Sequence, residues 1–264
     1  MSASPDGIAG VFDRAAATYD AVGVPWFGPI AEGLLAELDA QPGERALDIG
    51  CGRGAVTGPL AEAVGPTGHV LGVDLAPAMV ALTAADLAHL PQVTVQVGDA
   101  CALDVDSGWD LVASSLVLFF LPDPAAAVAS WASLLRPGGR LGISTFGAQD
   151  PRWKAVDDVF SPYLPQGMRD ARTSGARGPF ASDEGVESLL TGAGLQDVRT
   201  AHREVSVTFT DPEQWYAFSW SHGQRAMWEC VPEDQREAVK QECLALVDGW
   251  TWTQQVRYTL GVSR

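Results

Sequence analysis

The stretch LDIGCGRGAVT, residues Leu47 to Thr57, ends a short apolar run in three alternating glycines, with an acid two positions before the first. The residues after the turn, VTGPLAEAVG, have the spacing of an apolar-faced helix, so the segment reads as strand, tight turn and helix. Glycines at such a turn permit backbone angles closed to other residues and let a ligand approach the main chain. Outward from here the alternation repeats. HVLGVD is a second strand, and PAMVALTAADLAHL a helix with Pro77 near its start. VTVQVGD and WDLVASS are the third and fourth strands, AAAVASWASLL a helix stopped by the turn RPGG, and RLGISTFG the fifth strand. Strands that are nearly all apolar and alternate with helices imply parallel crossovers and an α/β sheet covered on both faces.

Two helical pieces broken at Gly23 to Pro25 precede this core, and a less regular half comes after it. Residues 1–40 are expected to be N-terminal helices, 41–150 a ligand-binding core, and 151–180, rich in Pro, Gly and Arg, a short helix with a mobile loop. SDEGVESLLTGAGL is a helix capped by Ser182 or Asp183, and VRTAHREVSVTF a sixth strand. Residues 211–250 read as two helices split near Pro232, and TQQVRYTLGVS as a seventh strand. A helical insertion between the last two strands is placed to cap the sheet, so the expectation is one domain over 1–264.

The 264 residues carry a formal net charge of -16, which repels phosphate backbones and anionic lipid and argues against nucleic-acid and membrane partners. The four cysteines are scattered without ligand spacing, and no acidic cluster reads as a magnesium site, so no metal is expected. The first residues lack a basic start and apolar run, and the apolar stretch Leu111–Leu121 is too short to span a bilayer. Cytoplasmic location with reduced thiols is the expectation; oligomeric state is open.

Gly50, Gly52 and Ala55 can be aligned with a dinucleotide fingerprint, but Asp48 argues against it. A carboxylate at that place repels a pyrophosphate and attracts a cationic group. The ligand implied is adenosine-like, lacks phosphate and is positively charged. At this point LDIGCGRG resembles motif I of the class I S-adenosylmethionine-dependent methyltransferases, whose cofactor carries a sulfonium and an ammonium. The resemblance implies a Rossmann-like, seven-stranded, mostly parallel sheet with a helical cap. It also assigns roles: Asp48, Gly50, Cys51 and Gly52 form the cofactor turn, Asp74 takes the ribose hydroxyls, and Leu75 and Met79 flank the adenine. VGDA implies that Asp99 accepts from the adenine amino group and that the Ala100 amide meets the ring. WDLVASSLVLFFLPDP implies Ser114 and Ser115 beside the methionine portion. FDRAAATYD is similar to the N-terminal segment of quinone-biosynthesis and natural-product methyltransferases, with Tyr19 closing over the cofactor. Taken singly, an Asp at a strand end is as readily a helix cap, and Tyr19 a core residue. Three acids at three successive strand ends favour the site.

The acceptor is expected to be a small, largely apolar molecule, aromatic or polyketide-like. His222 in WSHGQ is the candidate catalytic base, and Trp26, Phe27, Phe119, Tyr216 and Trp220 are candidates for the pocket wall. Phe120, Trp215 and Trp228 are further aromatic candidates, and Arg169, Arg172 and Arg177 could grip an acidic acceptor. The competing reading of each is core packing or a solvated loop. Two other classes stay open: a methyltransferase-fold protein that binds the cofactor but catalyses a cyclisation, a rearrangement or nothing, and a nicotinamide-dependent oxidoreductase.

Overall fold

A computed structural model describes residues 7–168, 177–247 and 251–264. Helix α1 is Ile8–Ala15 and α2 is Phe27–Leu38. The core then runs β1 (Arg45–Ile49), α3 (Thr57–Val64), β2 (His69–Asp74), α4 (Pro77–Asp86), β3 (Val93–Val97), β4 (Trp109–Ser115), α5 (Pro124–Ser133) and β5 (Leu135–Gln149). Beyond it lie α6 (Pro151–Phe160), α7 (Asp183–Gly192), β6 (Gln196–Thr208), α8 (Pro212–Trp220), α9 (Arg225–Cys230), α10 (Arg236–Val247) and β7 (Thr251–Val262). Side-chain oxygens cap several helices: Asp123 accepts from the Ala126 N–H, and Ser182, rather than Asp183, accepts from the Gly185 N–H.

The strands form one seven-stranded sheet in the order β3-β2-β1-β4-β5-β7-β6. Pairings from β3 to β5 are parallel, and β7 runs antiparallel to both β5 and β6. The sheet is thus mostly parallel, and its order reverses between β1 and β4. Ligands of open α/β sheets bind beyond the carboxyl ends of the strands at such a reversal.

Two apolar layers cover the sheet. One contains Ile30, Leu34 and Leu38 of α2 with Leu60 of α3; the other contains Val128 and Trp131 of α5 with Val186 and Leu190 of α7. All eight are completely buried, and each such side chain contributes roughly 1.5–3 kcal/mol of transfer free energy. A Cβ on Gly142 of β5 would lie 2.6 Å from Leu38 Cδ2, so α2 rests directly on the strand's backbone.

Three expectations change in detail. RPGG does not stop before the fifth strand: β5 begins at Leu135, opposite Trp109, and its register with β4 shifts before Arg140 pairs with Leu111. Gly139 sits in that irregularity, where a Cβ would lie 2.8 Å from the Trp109 carbonyl oxygen. Among the described residues the 211–250 insertion holds three α-helices rather than two, because the chain breaks again between Trp220 and Arg225. The N-terminal break is wider than Gly23 to Pro25, running from the end of α1 at Ala15 to Phe27. Of the loop expected over 151–180, residues 169–176, with Arg169 and Arg172, lie outside the described residues, and Arg177 is exposed. No described helix is long and apolar enough to cross a membrane.

Gly142→Val is expected to destabilise the protein by about 1–3 kcal/mol, the usual range for forcing extra methyl groups into a packed core. Urea unfolding followed by far-UV circular dichroism checks this.

Candidate cofactor and acceptor site

The glycine turn after β1 is tied to the end of β2. The Val73 carbonyl accepts from the N–H groups of Gly50 (2.7 Å) and Cys51 (3.0 Å), and Asp74 Oδ2 accepts from the Gly52 N–H (2.8 Å). Gly50, Gly52 and Gly54 have φ of 74°, 50° and 81°, the left-handed region that glycine alone enters freely. A Cβ on Gly50 would also lie 2.2 Å from Val117 Cγ2. Asp74 Oδ1 accepts from the Ala76 N–H (2.9 Å). Both carboxylate oxygens therefore serve the backbone, each with a lone pair left for a hydroxyl. Burial raises the Asp74 carboxyl above the usual carboxylate range, against the lowering effect of the Ala76 and Gly52 N–H groups.

Asp48 is 1% exposed. Its Oδ2 accepts from the Thr57 hydroxyl at 2.6 Å, while Oδ1 is buried with no partner. Desolvation pushes its carboxyl up to about 7, with the Thr57 hydrogen bond opposing and the Asp74 charge adding. Thr57, the first residue of α3, holds Asp48 in place and is not singled out by the sequence reading; the available signal is a hydroxyl on the helix after the turn. A cavity of about 40 Å³ lies over the turn, lined by Tyr19, Phe27, Asp48, Cys51, Arg53 and Ser115 together with the turn glycines. Tyr19 stacks on Phe27, with ring centroids 4.3 Å apart. Its phenol is held well above its ordinary value by burial and then by Asp74 and Asp20, so it remains protonated. Burial, then Asp48 and Asp74, likewise push up the Cys51 thiol, which is no nucleophile here. Arg53 donates to the Ala16 carbonyl (2.7 Å) and pairs with Asp86, strapping the segment after α1 to the end of α4.

The structure gathers Tyr19, Phe27, Asp48, Gly50, Cys51, Gly52 and Ser115 around this cavity, with Asp74 one hydrogen bond behind. The other sequence candidates lie apart from it. Ser114 points away from Ser115 and donates to the Ile49 carbonyl at 2.9 Å, whereas Ser115 Oγ meets Ser144 Oγ at 2.8 Å. Leu75 is next to Asp74 and is half-buried. Met79 is buried with Ala16 and Ala76, and Phe12 and Tyr19 pack on that cluster. Asp99 accepts from the Cys101 N–H (2.8 Å), and the Ala100 carbonyl from Trp131 Nε1 (2.8 Å).

Of the acceptor-wall candidates, Phe27 alone lines the cavity. Trp26 is instead core: it stacks on Trp252 at 4.2 Å, and Trp252 stacks on Trp153 at 4.1 Å. Phe119 stacks on Phe146 at 5.5 Å. Tyr216 and Trp220 stay within the helical insertion against Trp228, with Lys240 Nζ 4.5 Å from the Tyr216 centroid and Arg225 5.3 Å from that of Trp220. His222 lies one ring behind the cavity wall, 6.4 Å edge-on from Phe27. The Gln224 N–H donates to its Nδ1 (3.3 Å), so the proton of the neutral ring sits on Nε2, which is buried and has no partner. Desolvation pushes its imidazolium down to about 3. In this tautomer Nε2 has no lone pair with which to act as a base.

The sheet order, the glycine turn and the acids at its strand ends define a Rossmann-like fold whose site suits a cationic, phosphate-free nucleoside. Residues 46–139 match the family model described as "Methyltransferase domain". The chain is 40% identical over 248 residues to nocamycin O-methyltransferase of Saccharothrix syringae, covering 88% of each protein. It is 37% identical over 160 residues to aklanonic acid methyltransferase of Streptomyces sp. strain C5, covering 60% of this chain and 73% of that one. Among solved structures, the YcgJ protein of Bacillus subtilis shares the fold with a TM-score of 0.60 at 16% identity, covering 89% and 98% of the two chains. A Haemonchus contortus phosphoethanolamine N-methyltransferase in complex with S-adenosylhomocysteine matches with a TM-score of 0.58 at 17% identity. That match covers 98% of this chain but only 58% of the nematode protein. The chain belongs to the class I S-adenosylmethionine-dependent methyltransferases, and S-adenosylmethionine is its cofactor.

A cationic ligand beside Asp48 favours the carboxylate and so displaces its proton wherever the free protein still holds one. S-adenosylmethionine affinity is therefore expected to rise with pH, by up to about tenfold per unit, as pH approaches about 7, and to level off above it. S-adenosylhomocysteine, which lacks the sulfonium, is expected to respond less, and Asp48→Asn to flatten both curves. Calorimetric titrations across that range check the slope.

Proposed function

We propose that this protein transfers the methyl group of S-adenosylmethionine to an oxygen of a small polyketide-type acceptor. The observation that carries the reading is similarity along 88% of the chain to a natural-product O-methyltransferase, together with a glycine turn built around a buried acid, Asp48, and a half-buried one, Asp74. The unpartnered Asp48 Oδ1 and the anion-lined turn fit a cationic cofactor group and do not fit a phosphate. When bound, S-adenosylmethionine supplies a methyl carbon already activated by the positive sulfur, so transfer in this reading needs no metal.

The chain's own residues have the remaining work. Asp74 accepts the ribose hydroxyls on its outward lone pairs while holding the Gly52 amide. Asp48 supplies negative charge near the sulfonium side, and Leu75 and Met79 flank the base, with Asp99 and the Ala100 amide at its edge. Ser114 contributes through the backbone it braces, and Ser115 through its side chain at the cavity. Tyr19 and Phe27 close over the turn and hold the acceptor's reacting oxygen in line with the methyl carbon. As the S–CH3 bond breaks and the O–CH3 bond forms, the electron pair goes to sulfur and the acceptor's proton leaves to solvent. Residues 41–150 act as the cofactor unit and 211–250 as a cap against which the acceptor packs.

Asp74→Ala removes a charged hydrogen-bond acceptor and unties Gly52, so S-adenosylhomocysteine affinity is expected to fall by about 10–100-fold. The wild-type protein is expected to bind S-adenosylhomocysteine and not NADH in parallel calorimetric titrations. NADH binding without S-adenosylhomocysteine binding would sink the reading. Screening hydroxyaromatic and β-dicarbonyl acceptors by mass spectrometry for a gain of one methyl group then tests the O-acceptor.

A further inference from the structure

Among the described residues, ten buried side-chain nitrogen or oxygen atoms have no hydrogen-bond partner, and five of them lie between Trp215 and Gln224. They are Nε1 of Trp215 and Trp220, Nε2 of His222 and both amide atoms of Gln224. A dry, unpaired polar group forfeits its hydration with nothing in return, so such a concentration needs a reason. Two more of the ten, Asp48 Oδ1 and Arg53 Nε, sit at the glycine turn, where the cofactor supplies one.

Gln224 is the sharpest case. It is 6% exposed, and its amide leaves two donors and an acceptor unmatched. Its backbone, by contrast, is fully used: the N–H donates to His222 Nδ1 at 3.3 Å, and the carbonyl accepts from the Met227 N–H at 2.8 Å. The same N–H fixes the His222 tautomer, leaving Nε2–H as an unused donor. The loop that carries both side chains reaches the cavity wall through His222, which meets Phe27 edge-on, while a Cβ on Gly223 would lie 3.7 Å from Cζ of Phe12, whose ring lies edge-on to Tyr19 behind that wall. Burial alone shifts the His222 ring, with no charged group acting on it, and Arg14 and Arg225 both pair with Glu229.

We propose that Gln224 and His222 form the polar end of the acceptor pocket and select a neutral hydroxyl–carbonyl pair, as in an enolised β-diketone or an ortho-hydroxyaryl ketone. The acceptor's carbonyl takes the His222 Nε2–H and an amide N–H of Gln224, and its hydroxyl donates to Gln224 Oε1. His222 thereby acts as a donor that orients the acceptor, not as a base. A carboxylate fits worse, because the two donors that would meet it, His222 Nε2–H and a Gln224 amide N–H, are both neutral and Gln224 Oε1 repels it. This assignment rests on the methyl-transfer reading of the neighbouring site.

The test titrates protein saturated with S-adenosylhomocysteine with 1-hydroxy-2-acetonaphthone and with 1-hydroxy-2-naphthoate. Wild type is expected to prefer the hydroxy-ketone. Gln224→Leu and His222→Phe are expected to weaken it about tenfold or more, and His222→Gln, which keeps a donor, to stay within about threefold. Gln224→Leu removes only unpaired side-chain atoms and is expected to unfold at the same temperature as wild type or higher, whereas His222→Phe also frees the Gln224 N–H and is expected to unfold slightly lower; both are expected to hold S-adenosylhomocysteine normally. Unchanged hydroxy-ketone binding in Gln224→Leu, no binding by wild type, or a lowered unfolding temperature in Gln224→Leu overturns the proposal while leaving methyl transfer standing. Failure of wild type to bind S-adenosylhomocysteine overturns both.

Discussion

Everything at this site depends on the end of β2 organising the turn that leaves β1. Parallel pairing sets Ile49 beside Val73, which brings the next amides, Gly50 and Cys51, onto one carbonyl and the third, Gly52, onto Asp74. Three donors that a ligand-facing loop would otherwise leave unpaired are thereby satisfied. The arrangement depends on alternate residues, Gly50, Gly52 and Gly54, taking positive φ, so the glycine spacing and the acid at the second strand's end are two halves of one device. Position is set as well, since the turn opens where the sheet order reverses between β1 and β4.

Two chemically different walls meet above that turn. On the sheet side are acids whose charge is held in check by desolvation, a state that favours a cation. On the side of the helical insertion are aromatic rings with neutral, unpartnered donors, Trp220 Nε1 and His222 Nε2 among them. Tyr19 and Phe27 stand between them, and α1 touches both: the Ala78 N–H donates to Asp13 at 2.8 Å, and Arg14 pairs with Glu229. The N-terminal segment is therefore the hinge piece between cofactor and acceptor chemistry.

The cofactor half is legible in the sequence because its signals are local. A strand, a glycine turn and a helix occupy contiguous residues, and acids at strand ends repeat with the alternation. The features that sequence hides depend on partners far along the chain. Trp26 reads as pocket wall, yet its ring belongs to a stack with Trp252 and Trp153 that no short window contains. Ser114 and Ser115 cannot both face a ligand, since adjacent strand residues point to opposite sides; that rule needs no structure, and it resolves the pair. RPGG reads as a stop, whereas β5 tolerates it as an irregular start, where Gly139 lets two backbones close. His222 stands out by residue type, but its tautomer is set by a backbone amide two residues on, which sequence does not reveal.

The place of β7 has a consequence for how the molecule is made. This strand comes after all the others in chain order, yet it stands inside the sheet, between β5 and β6. Strand β6 pairs with nothing else, and the helices that carry Tyr216, Trp220, His222 and Gln224 hang between the two. During synthesis β2 to β5 can each join as they emerge, since every one finds a neighbour already made. The helical insertion is flanked on only one side until residues past Thr251 leave the ribosome. A nascent chain thus gains its glycine turn well before that insertion is held in place, and the twelve residues of β7 act as the latch.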